Sequence, residues 1–125
     1  MELNERDKVW NRAALEAGGA NPLEGDKALA ALLSVHGMVM NGGVDHALDV
    51  LPPSEVAAGI AGFRYFGLAE VAAVLEAASA SNLDREFFDL KYAALIPADD
   101  IVVDAFHRKY RASPDAFAPL GSANA

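Results

Sequence analysis

Between His36 and Asp49 the chain places two imidazoles and two carboxylates: His36, Asp45, His46 and Asp49. These are metal-ligand types, so the spacing decides whether they can share an ion. Asp45 and Asp49 are four apart and lie on one helical face. His46 projects about 100° away from them. His36 belongs to an apolar pattern that ends before the others begin. No H-E-x-x-H or comparable spacing occurs. His36 therefore reads first as a satisfied core or boundary histidine. A small metal-dependent hydrolase using His36, His46 and Asp49 stays open as a third reading; stoichiometric zinc or manganese in purified protein would promote it.

Other chemistry finds less support. Asn41-Gly42-Gly43 interrupts this stretch, but it is neither G-x-G-x-x-G nor G-x-x-x-x-G-K-[ST], and no Lys or Arg stands near it to hold a phosphate. The chain has no cysteine. Its serines, Ser34, Ser54, Ser79, Ser81, Ser113 and Ser122, do not lie in a G-x-S-x-G elbow. His107 stands beside Arg108, Lys109 and Arg111, a cationic group suited to a helix C-terminus. The expectation is a protein that is not an enzyme and uses no cofactor or metal.

The elements that must carry these residues are helical. About one residue in five is alanine, β-branched runs are scarce, and no period-2 strand is evident. The first helix is predicted over about Glu5 to Ala17, with Val9, Trp10, Ala13 and Ala17 on one face and Gly18-Gly19 ending it. Asp26 is the expected N-cap of the second, whose Leu29, Leu32, Leu33, His36, Val39 and Met40 follow 3-and-4 spacing. Asn41-Gly42-Gly43 then ends that helix, because these types tolerate positive φ. A short stripe follows: Val44, Ala47, Leu48 and Leu51.

Pro52-Pro53 breaks it, and Ser54 is expected to cap the next helix, lined by Val56, Ile60, Phe63 and Phe66. Gly67 is a natural stop. Leu68, Val71, Leu75 and Ala78 line the following helix. Asp84 could cap one burying Phe87, Phe88, Leu90, Tyr92 and Leu95, and Asp99 one burying Val102, Ala105, Phe106 and Tyr110. The fold class expected is all-α, a single compact domain of six or seven short helices over residues 1–118. Residues 119–125 are expected to form a flexible tail, and Phe117 is placed to dock.

Length and charge narrow the function. At 125 residues the chain suits one domain with its own core. The start, MELNERDKVW, lacks the apolar stretch of a signal peptide, and no apolar run approaches the roughly 20 residues of a bilayer span. The absence of cysteine fits a reducing cytoplasm, so the expected localisation is cytoplasmic. Net charge is −8, from 18 acidic and 10 basic side chains. That disfavours direct nucleic-acid binding and an anionic membrane surface.

The charge is concentrated in residues 28–84, where six acids face a single base, Arg64. Asp45 and Asp49 lie about 6 Å apart along a helix axis, and Asp100 and Asp104 repeat that spacing. Such like-charge pairs cost a few tenths of a kcal/mol. A solvated face explains any one pair, while a row of them resembles the charge spacing of a phosphate backbone.

Four segments carry a family resemblance: VMNGGVDHAL (39–48), GFRYFGLAEVAAVLEAA (62–78), LDREFFDLKYAAL (83–95) and FHRKYRASPDAF (106–117). In this order, over roughly residues 25–118, they resemble the small all-helical bacterial family that includes the double-stranded-DNA-mimic protein, most of whose members are uncharacterised. Many relatives have aromatic residues after Asn-Gly-Gly where this chain has Val44, Ala47 and Leu48, which marks a divergent subgroup. The resemblance implies an all-α fold, no cofactor, a homodimer as one assembly, and acidic side chains offered to a basic DNA-binding protein.

The resulting expectation is a non-enzymatic acidic protein-interaction module, a DNA mimic in its sharpest form. Asp45, Asp49, Glu55, Glu70 and Glu76 are the expected partner-binding residues. Asn41, Gly42, Gly43 and Gly67 are expected to be structural. The alternative is an immunity or regulatory protein with an ordinary mixed interface.

Overall fold

The computed structural model describes residues 4–81 and 85–120. They form six α-helices: α1 (Glu5–Glu16), α2 (Glu24–Val50), α3 (Pro53–Tyr65), α4 (Ala69–Ala80), α5 (Arg85–Leu95) and α6 (Asp100–Ala112), followed by a 3-10 turn at Pro114–Ala116. The expected all-α class is what these residues adopt, and no strand occurs among them. No helix among the described residues is long and apolar enough to cross a membrane.

Local chemistry sets most boundaries. Asn4 starts α1 by accepting the Asp7 N–H at 2.8 Å, with Glu5 and Asp7 favourably placed in the first turn. The helix ends one residue earlier than the glycine pair suggested, because Ala17 itself takes the left-handed conformation (φ 52). Gly67 stops α3 as expected, with φ +81. Its N–H donates to the Arg64 carbonyl and the Leu68 N–H to the Phe63 carbonyl. Those two bonds are the paired signature of a glycine C-cap.

Three expected caps behave differently. α2 begins at Glu24 rather than after Asp26, so Asp26 sits inside the first turn, where its carboxylate accepts the Leu23 N–H at 3.0 Å. α3 begins on Pro53, whose missing N–H is harmless at a first helical position, and Ser54 makes no cap. Asp99 precedes α6 without capping it by a side-chain bond. Asp84 lies outside the described residues.

α2 is the central helix and packs against α1, α3 and α5. Leu29, Leu32 and Val35 on it, Phe63 on α3, Leu75 on α4, Tyr92 on α5 and Val102 and Phe106 on α6 are buried in one continuous core. Burying each large apolar side chain stabilises the fold by roughly 1.5–3 kcal/mol. Two glycines let α3 approach α2 closely. A Cβ at Gly59 would lie 2.2 Å from Val35 Cγ2, and one at Gly62 would lie 2.5 Å from the Ala28 carbonyl oxygen.

Helical periodicity overstated burial at three positions: Met40 is 54% exposed, Phe87 52% and Leu90 65%. They fit the 3-and-4 pattern, yet each keeps half or more of its surface exposed.

After α6 the chain folds back over the domain. Phe117 is buried and packs on Phe66, Phe106 and Tyr110. Asp26, fully buried, anchors this return. Its carboxylate accepts the Ala118 N–H at 2.7 Å and an Arg12 guanidinium N–H at 2.8 Å. Arg12 also donates to the Ala118 and Pro119 carbonyls. Residues 119 and 120 thus belong to the packed structure, and 121–125 lie outside the described residues.

Candidate functional site

The Asn41-Gly42-Gly43 corner, expected to separate two helices, instead kinks one. The helical ladder of α2 is broken at Gly43 alone (φ 93, ψ 172) and resumes at once. This conformation is open essentially only to glycine. The kink frees the Val44 N–H, and the Asp89 carboxylate from α5 accepts it at 3.1 Å. Asp89 thereby caps the second half of α2 from a different helix. Asn41 and Gly42 are exposed and helical. Gly42 matters for space, since a Cβ there would meet the His46 ring at 2.6 Å. A small pocket of about 210 Å³ lies beside the kink, lined by Met40, Gly43, Asp89 and Tyr92 among others.

The residues weighed as metal ligands do not converge. His36 is buried on α2 before the kink, while His46 and Asp49 lie after it. Among the described residues no group of three or more His, Asp or Glu side chains could hold a metal ion.

The expected partner-binding acids are spread over three helices. Asp45 and Asp49 are exposed on the last part of α2, Glu55 on the first turn of α3, and Glu70 and Glu76 on α4. Glu76 is paired with Arg64 across the α3–α4 hairpin. The one base of the acidic stretch is thus engaged with one of its acids.

A second polar arrangement was not legible in the sequence. His36, 6% exposed, has its Nδ1 2.7 Å from the Tyr92 hydroxyl and its Nε2 2.9 Å from Asp99 Oδ1. Burial first, and the Asp99 carboxylate second, raise the Tyr92 pKa above its ordinary value of 10.0. The phenol stays protonated and can donate to Nδ1, which leaves the proton on Nε2 to donate to Asp99. Both ring nitrogens are engaged, as expected of a satisfied histidine. The same geometry explains why Asp99 does not cap α6: its carboxylate is turned to His36 instead.

Asp99 lies in the wall of a cleft of about 540 Å³ formed between α1, α2 and the start of α6. Trp10, Leu33, Ser34, Gly37 and Val102 line it, with several alanines of α1 and α2. Its chemistry is one carboxylate, one buried imidazole behind it, the Ser34 hydroxyl, an indole and otherwise apolar walls. The partners Tyr92 and Asp99 are 56 and 63 residues from His36, so no local spacing could have announced them.

Comparison with known proteins adds no assignment, since no match is found among protein-family models, curated proteins or solved structures.

Proposed function

We propose that this chain is a non-enzymatic protein-interaction module that offers a carboxylate-rich surface to a basic partner, a nucleic-acid-binding protein in the sharpest form of the reading. One observation supports it. Asp45, Asp49, Glu55 and Glu70 are all exposed, within a stretch whose only base, Arg64, is occupied by Glu76. Lys and Arg side chains on a partner would be attracted to this exposed, net-negative stretch, steering association and weakening with ionic strength. The resemblance to the family of the double-stranded-DNA-mimic protein points the same way. A homodimer belongs to this reading and is measured by sedimentation.

The test is a pull-down from bacterial extract at low and high salt, repeated with duplex DNA as competitor. Under this reading a basic DNA-binding protein is retained at low salt and released both by salt and by DNA. The combined variant Asp45→Asn, Asp49→Asn, Glu55→Gln and Glu70→Gln loses it. A retained protein indifferent to salt, to DNA and to that variant would overturn the proposal.

A second reading, a regulatory or immunity-type protein with a mixed interface, draws on the exposed Phe87 and Leu90 of α5. Its partner would survive high salt and be lost on Leu90→Asp.

A further inference from the structure

We propose that the cleft between α1, α2 and the start of α6 binds a small organic amine, with its ammonium on Asp99 and its apolar body against Trp10 and Leu33. This goes beyond the acidic-surface reading and uses none of its residues.

Size and lining come first. A volume of about 540 Å³ falls in the roughly 300–1,000 Å³ range of small-molecule sites, which are mostly apolar with a few placed polar groups. Charge sets the class of ligand. Among the described residues Asp99 is the only carboxylate in the cleft wall, and no Lys or Arg lines it. An anion would meet repulsion there, and an ammonium would be attracted.

The carboxylate is also held in place. A residue at the N-cap position of a helix usually turns its side chain onto the helix's own N–H groups. Asp99 makes no such bond. One oxygen accepts from the buried His36 Nε2, whose orientation the Tyr92 hydroxyl fixes from the other side. The Asp99 side chain is nonetheless 72% exposed, which leaves its second oxygen open to a ligand. Trp10 and Leu33 supply the apolar surface against which the body of such an amine would lie.

The sequence also keeps this space open. Gly37 lies within α2, and an added Cβ there would meet nothing within 4 Å. Alanine would favour the helix at such a position. The glycine contributes neither backbone freedom nor close packing, and it widens the cleft.

Trp10 is the chain's single tryptophan, so its fluorescence reads the cleft directly. The probes are 2-phenylethylamine and its neutral counterpart 2-phenylethanol, titrated at pH 7 into the intact chain. The amine is expected to give a saturable change in Trp10 emission and to bind at least tenfold more tightly than the alcohol. Asp99→Asn keeps an acceptor for His36 and removes the charge. It should weaken the amine at least tenfold while leaving the alcohol and the unfolding midpoint unchanged. Asp45→Asn with Asp49→Asn should leave the amine unaffected, which separates this site from the acidic surface. The proposal is overturned by equal binding of amine and alcohol, by amine binding insensitive to Asp99→Asn, or by no saturable change in Trp10.

Discussion

Two glycines of the same helix should respond to alanine with opposite signs. Gly43 sits at the kink of α2 with φ 93 and ψ 172. Forcing an alanine into that conformation costs about 1–3 kcal/mol. Its Cβ would also lie 3.2 Å from Asp89 Oδ1. The carboxylate would have to give by a few tenths of an ångström, straining its bond to the Val44 N–H at a further cost of up to about 0.5–1.5 kcal/mol. Gly43→Ala is therefore expected to destabilise by roughly 1.5–4.5 kcal/mol in total. Gly37 has room and no positive φ, so Gly37→Ala should stabilise by about 0.5–1 kcal/mol.

Urea unfolding followed by helical circular dichroism separates these outcomes. With a urea dependence of roughly 1.5 kcal/mol per molar, the midpoint falls by about 1–3 M for Gly43→Ala and rises by about 0.3–0.7 M for Gly37→Ala. A thermodynamic cycle adding Asp89→Ala isolates the strained cap, because the double variant should cost less than the two singles together. If Gly43→Ala stays within about 0.5 kcal/mol of the parent, or shifts in the same direction as Gly37→Ala, the kink is not strained as argued.

Other perturbations have expected outcomes of the same kind. Gly62→Ala should lower stability by about 1–3 kcal/mol, since a Cβ would stand 2.5 Å from a backbone carbonyl that cannot swing aside; a neutral urea midpoint would refute the close helix approach. Asp26→Ala should cost about 3–5 kcal/mol, because it strands the Arg12 guanidinium and two backbone N–H groups; hydrogen exchange should show the returning segment around Ala118 losing protection first.

Tyr92 sets an alkaline limit. Its pKa is raised in the fold, so the folded state holds a proton that the unfolded chain releases. Its contribution is complete below about pH 10 and is lost as pH climbs from there toward the folded-state value. Tyr92→Phe should flatten the fall in stability above about pH 10 and cost about 1–2 kcal/mol at neutral pH by removing the donor to His36. An unchanged alkaline slope in denaturant melts would refute this.

The helices themselves were written into local pattern. Apolar 3-and-4 spacing between turn-forming positions marks every helix, though it divides α2 in two, and Val56, Ile60 and Phe63 on α3 lie buried where the period puts them. Gly67 as a stop and His36 as a satisfied histidine could likewise be read from the residues, because a helix end and an apolar face are properties of neighbours in sequence. Pattern alone overburied Met40, Phe87 and Leu90, since periodicity shows which face is apolar and not whether another element arrives to cover it.

Only the tertiary structure decided the rest. Asp26 and Asp99 look like caps locally, yet long-range partners redirected them, Arg12 and Ala118 for one and His36 for the other. Gly43 bends a helix instead of ending it because Asp89, 45 residues away, satisfies the amide that the bend exposes. A hydrogen bond or a cleft depends on which side chains the packed helices bring within a few ångströms, and that distance is set by the core between them rather than by spacing along the chain.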